Sequence, residues 1–239
     1  MPTYHDALAF YRIPAAHPGG MTLTKRLLDE ETISADMRIL DAGCGLGATS
    51  IYLASTYGAR VTAVDLSREM LRLADKACRQ AGANVSLCHA SVEALPFPEN
   101  TFDFIIAESV TAFADHEAAL SEYKRVLRPG GIVLTIDMLQ IQPLSPVELE
   151  ELTGFYSIKQ LLTETQWLSA FRQSGFCEAK TLLSLSIADY LQQAADEQMV
   201  TSPDDFSASS EMAAIMETHL QLTLTHLDNL GYGVFRAQK

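Results

Sequence analysis

The sequence predicts an α/β fold: a doubly wound, mostly parallel seven-stranded sheet with a helical insertion before its last strand. Three observations carry that prediction. Short β-branched runs alternate with helix-patterned stretches across residues 36–138. The first run ends at a glycine cluster, Gly43, Gly45 and Gly47. Beyond Met138 helical spacing takes over, until Tyr232 to Ala237 alternates like a terminal strand.

The elements follow in order. Arg38 to Ala42 is a short apolar run suited to a buried parallel strand, and Thr49 to Tyr57 is a helix stopped by Gly58. Arg60 to Asp65 is the second strand. Ser67 then sits where an N-cap belongs, and Met70, Leu71, Leu73, Ala74 and Ala77 make the apolar face of a helix ending near Gly82. Asn84 to His89 and Thr101 to Ala107 are the third and fourth strands. A helix from His116 to Leu127 is stopped by Arg128-Pro129-Gly130-Gly131, and the fifth strand is Ile132 to Met138. Helices are expected over Val147 to Leu162 and Glu164 to Ser174, and a sixth strand over Phe176 to Ile187. The helical insertion spans 188–230, with a turn at Thr201-Ser202-Pro203-Asp204. One domain covers 1–239: N-terminal helices over the ligand site (1–35), a ligand-binding core (36–138) and a substrate-side half (139–239).

Composition excludes several classes. Hydrophobic residues make up 48% of the chain, so a packed core is expected rather than disorder. No apolar run reaches membrane-spanning length and no signal peptide opens the chain, so the expectation is a cytoplasmic protein without a membrane partner. Cys44, Cys78, Cys88 and Cys177 have no paired spacing, and the histidines are scattered; neither a disulfide framework nor a metal site is expected. The net charge is −13, and no lysine or arginine lies between Lys180 and Arg236. Such a surface repels phosphate backbones, so no nucleic-acid partner is expected.

The loop Asp41-Ala42-Gly43-Cys44-Gly45-Leu46-Gly47 is the most informative segment. Glycine-rich turns between a strand and a helix serve both dinucleotides and S-adenosylmethionine, so spacing alone does not choose. Asp41 does: a carboxylate there opposes a pyrophosphate but favours a ligand bearing an ammonium and a sulfonium. Asp65, at the end of the second strand, suits two ribose hydroxyls, or else simply caps the next helix.

These residues resemble motif I of class I S-adenosylmethionine-dependent methyltransferases, especially the UbiE/COQ5-like small-molecule group, over Ile39 to Gly47. Val64-Asp65-Leu66-Ser67 with Met70-Leu71 resembles the second motif, Glu93 to Pro98 with Phe102-Asp103 the approach to strand four, and Arg125 to Gly131 the turn before strand five. The resemblance implies the Rossmann-like methyltransferase fold, S-adenosylmethionine as methyl donor and S-adenosylhomocysteine as product. It implies that Gly43, Cys44 and Gly45 line the methionine part, Asp65 binds ribose, Leu66 and Met70 pack on adenine, and Val92 and Glu93 sit at its edge. Ser91 stands where the family often has an aspartate, a weaker acceptor for the adenine amino group. Tyr11 and Gly20, in the segment around His17-Pro18-Gly19-Gly20, are further candidate donor contacts, or else part of an ordinary turn.

Methyl transfer from a sulfonium needs alignment more than acid–base help, so its catalytic residues are hard to read from sequence. Glu108, after strand four, is a candidate contact to donor or acceptor. His17 and His116 are candidate bases, against a surface or capping role, and Cys44 reads as a packing residue. Met212, Ile215, Met216, His219, Leu222, Leu227 and Leu230 recur at helical spacing, as core or as the roof of an acceptor pocket. The leading expectation is an enzyme, monomer or homodimer, acting on a small-molecule acceptor. A non-catalytic donor-binding module and an NAD-dependent oxidoreductase are the alternatives.

Overall fold

Parallel strands buried on both faces need continuous apolar runs, and the central strands have them. A computed structural model describes residues 2–11, 17–196 and 210–239. β1 (Arg38–Ala42), β2 (Arg60–Asp65), β3 (Val85–His89), β4 (Phe102–Glu108), β5 (Leu127–Gln140), β6 (Lys180–Ser186) and β7 (Leu230–Gln238) form one sheet in the order β3-β2-β1-β4-β5-β7-β6. The first five strands pair in parallel, and β7 runs antiparallel between β5 and β6. The order in which strands are added reverses between β1 and β4, the position at which open α/β sheets leave a crevice at their carboxyl ends.

Helices α1 (Tyr4–Tyr11), α2 (Gly20–Asp29), α3 (Ala48–Tyr57), α4 (Arg68–Ala81), α5 (His116–Val126), α6 (Pro146–Tyr156), α7 (Glu164–Gln173), α8 (Ile187–Asp196) and α9 (Ser210–Thr225) complete the described elements. Alternating strand residues feed two cores. Ile105, Phe235 and Val133 pack with Tyr123, Trp167 and Phe171; Ile106, Val234 and Leu134 pack with Leu23, Leu28 and Leu53. A third cluster joins Leu152 and Tyr156 of α6 to Leu222 of α9 and Leu230. Each such buried aliphatic or aromatic side chain contributes about 1.5–3 kcal/mol.

The structure departs from expectation in four places. β5 runs straight through Arg128 to Gly131: Gly130 takes φ 79°, its N–H donates to Lys239 O, and Lys239 N–H returns to Gly131 O, so the turn signal is absorbed into pairing beside β7. α6 stops at Tyr156, where Ser157 enters the left-handed region at φ 55°. β6 begins at Lys180, since 176–179 follow the left-handed Gly175 and Cys177 N–H bonds Gln238 O. α8 follows β6 without a loop, capped by the Ser186 hydroxyl, which accepts from Asp189 N–H at 3.0 Å. The expected turn at Thr201 to Asp204 lies outside the described residues.

Candidate active site

The glycine loop is held by its neighbours' backbone. Gly43 and Cys44 N–H both donate to Val64 O, at 2.8 and 2.9 Å, which ties the loop to the end of β2. Gly43 has φ 78°, and a Cβ there would come within 2.2 Å of Val110 Cγ2, so only glycine brings loop and post-β4 segment this close. Asp65 completes the clamp: one carboxylate oxygen accepts from Gly45 N–H at 2.9 Å, the other from Ser67 N–H at 2.8 Å. Each oxygen keeps a further lone pair for a hydroxyl donor. Ser67 caps α4 as expected, accepting from Met70 N–H at 3.2 Å.

Beneath the loop lie two buried carboxyls. Asp41 is 3% exposed and accepts from the Ser50 hydroxyl at 2.5 Å. Burial first, then the charges of Glu108 and Asp65, push its pKa up to about 7. Glu108 ends β4, its two oxygens accepting from the hydroxyls of Thr24 (2.5 Å) and Thr49 (2.6 Å). His17 Nε2 approaches it at 3.3 Å and Thr24 Oγ1 at 3.1 Å. The N-terminal segment thus docks on β4 through His17 and Thr24. Sequence reasoning missed both threonines, since a threonine on a helix face carries no signal for a partner 84 residues away, as for Thr24, or 59, as for Thr49.

Asp137 of β5 was missed as well. It accepts from Ala112 N–H at 2.9 Å and so pins the single helical turn Thr111–Phe113, which carries Val110 and Phe113 toward the crevice. Burial raises its pKa to about 6. Ser109, beside that turn, holds φ 54°, a strained conformation of the kind that gathers at functional sites.

These groups open into a cavity of about 1020 Å³. The end beside the glycine loop brings together Asp41, Gly43, Cys44, Gly45, Asp65, Leu66, Met70, Ser91, Val92, Glu93 and Glu108, and His17 joins them. Ser91 Oγ accepts from Glu93 N–H, and a Glu93 oxygen accepts from Asp115 N–H. Burial pushes the Cys44 thiol far up, in line with a packing role. Three candidates lie elsewhere. Tyr11 ends α1 with its ring against Phe10, Gly20 opens α2, and His116 at the start of α5 packs its ring 5.8 Å from Trp167; none lines the cavity. The glycine pair Gly19-Gly20 serves the turn into α2, and His17 and Pro18 reach the crevice instead.

The far end is aromatic. Tyr4, Phe113, Tyr156 and His219 meet there: the Tyr4 ring lies 4.8 Å from His219, 5.2 Å from Tyr156 and 6.5 Å from Phe113. The Tyr156 hydroxyl is 2.8 Å from His219 Nδ1. Of the residues read from the sequence as one helical face, Met216 and His219 of α9 line the cavity, Leu222 packs in the cluster with α6, and Leu230, which opens β7, belongs to both.

Three carboxyls around the glycine loop (Asp41, Asp65 and Glu108), beside an apolar wall that includes Leu66, Met70 and Val92, make a crevice suited to a ligand with positive charge and an apolar body. Known proteins agree with that chemistry. Residues 39–131 match the family described as a methyltransferase domain. The chain is 31% identical over 241 residues to an uncharacterised methyltransferase, YodH, of Bacillus subtilis, covering 100% of both chains. It is 39% identical over 121 residues to the ubiquinone/menaquinone biosynthesis C-methyltransferase UbiE of Syntrophotalea carbinolica, covering 50% of this chain and 48% of that one. In fold it resembles a Haemonchus contortus phosphoethanolamine N-methyltransferase 2 crystallised with S-adenosyl-L-methionine (TM-score 0.75, 20% identity, 99% of this chain and 57% of that). With the loop, the carboxylates and the strand order accounted for, the chain belongs to the class I S-adenosylmethionine-dependent methyltransferases.

Proposed function

We propose that the enzyme methylates a small-molecule acceptor held in the aromatic end of the cavity, by in-line displacement at the donor's methyl group. The observation that carries this reading is one continuous crevice running from the glycine loop to the Tyr4–Tyr156–His219 cluster, large enough for donor and acceptor together. When bound, the donor supplies an electrophilic methyl on a sulfonium. The chain supplies position and exclusion of water. In this reading Asp65 takes the ribose hydroxyls, Leu66, Met70 and Val92 sandwich the base, and Ser91 and Glu93 meet its polar edge. Asp41 and Glu108 offer negative charge to the methionine ammonium, and His17 with Thr24 and Thr49 fixes the Glu108 carboxylate. His116 has no part in it.

The same reading divides the chain into donor-covering helices (1–35), a donor-binding core (36–138) and an acceptor-side half (139–239). No helix among the described residues is long and apolar enough to cross a membrane, and the four cysteines are free, in keeping with action in the cytoplasm. Calorimetry of S-adenosylmethionine, S-adenosylhomocysteine and NAD tests the donor end. Both sulfur ligands should bind, NAD should not, and Asp65→Ala should weaken binding about 30-fold, since it removes a carboxylate that takes charged hydrogen bonds and also holds the loop. Binding of NAD, or unchanged affinity in Asp65→Ala, would sink the assignment.

A further inference from the structure

One wall of the cavity is a single face of α9. Met216, Leu220 and Leu224 follow one another at four-residue steps, and His219 and Thr223 lie between them; all five line the crevice. Charge in the crevice is one-sided. Among the described residues lining it there is no lysine or arginine, whereas Asp6, Asp41, Asp65, Glu93 and Glu108 all do so. The polar chemistry of the aromatic end therefore comes without a fixed cation, and the Tyr156–His219 pair, joined at 2.8 Å, is its hydrogen-bonded imidazole. Burial lowers the His219 pKa to about 4, so the imidazole is neutral at physiological pH. An anion brought into this chamber would lose its hydration, gain no counter-charge from a lysine or arginine of the lining and share the crevice with carboxylates.

We infer that His219, aimed by Tyr156, is the hydrogen-bonding contact for the acceptor's nucleophilic group, and that the acceptor is an apolar molecule carrying no anionic group. The inference rests on the small-molecule reading above. With Nδ1 engaged by the Tyr156 hydroxyl, Nε2 is the ring nitrogen left to meet a hydroxyl, amine or thiol, as acceptor or donor according to the tautomer. Tyr156 is a positioning residue in this scheme. Its hydroxyl sits between His219 and Thr223, so the pair is oriented from α6 and α9 together. Leu220 and Leu224 are 56% and 53% exposed, and Leu191 of α8 is 45% exposed; these cavity residues give the mouth an apolar rim for the acceptor's body.

A matched pair of probes tests this: para-phenylphenol and its carboxylated analogue para-(para-hydroxyphenyl)benzoate, titrated calorimetrically into protein saturated with S-adenosylhomocysteine. The two share ring system and hydroxyl and differ by one negative charge. The neutral phenol should bind about tenfold more tightly than the carboxylate. Tyr156→Phe and His219→Leu should each weaken the phenol by about fivefold while leaving S-adenosylhomocysteine affinity unchanged. Added imidazole should restore phenol binding to His219→Ala. Equal or tighter binding of the carboxylate, no binding of the phenol, or phenol binding indifferent to both substitutions would overturn the inference. Failure of S-adenosylhomocysteine to bind at the outset would overturn the donor reading beneath it, a distinct result recorded before either probe is added.

Discussion

Asp41 carries the most consequential single charge of the site. Its carboxyl titrates near about 3.9 in an unfolded chain, but near about 7 in the folded protein. Between those values the folded protein keeps a proton that the unfolded chain releases, so Asp41 lowers stability as pH climbs through that window and adds nothing below it. A cationic ligand reverses the preference by favouring the carboxylate. S-adenosylmethionine affinity should therefore rise with pH by up to about tenfold per unit below neutrality, level off above pH of about 7, and lose that slope in Asp41→Asn. Calorimetry in buffers of different ionisation enthalpy reads the released proton directly; an identical slope in the variant would refute the coupling. The existence of this carboxylate was legible in the sequence, because the loop around it is contiguous. Its bond to Ser50 and its crowding by Glu108 were not, since they depend on where α3 and β4 come to lie. The same holds for His219: a helical stripe marked it, but its partners Tyr4 and Tyr156 arrive from distant parts of the chain.

Elements show the same division. Helices with local punctuation, such as α4 between Ser67 and Gly82, fall where capping chemistry puts them. β5 outruns its turn signal because pairing beside β7 overrides a local preference, and no window of a few residues contains that fact. α9 shows how one helix divides its duties. Leu222 is 6% exposed and packs against Leu152, Tyr156 and Leu161, whereas Leu220, two residues earlier, faces the crevice mouth. Leu222→Ala should cost about 2–4 kcal/mol of stability, read as a lowered melting temperature, whereas Leu220→Ala should cost less than about 0.5 kcal/mol. Equal losses in a thermal scan would mean that α9 does not dock as described.

Across the whole molecule, charge works against the fold. Thirty acids face seventeen lysines and arginines, and ion pairs such as Glu31–Arg236 at 2.7 Å offset only part of the excess. Screening should therefore stabilise the protein: moving from low salt to about 0.15 M sodium chloride, where repulsion fades beyond about 8 Å, should raise the melting temperature by a few degrees. A falling melting temperature would mean that favourable pairs dominate instead. The molecule is also unevenly assembled. The glycine-loop end of the cavity comes mostly from one unbroken stretch, Asp41 to Val110, whereas the aromatic end borrows from α1, α6, α8 and α9. Inheritance can act on the two parts separately. A lineage can rewrite the later helices and pass the earlier stretch to its descendants almost untouched.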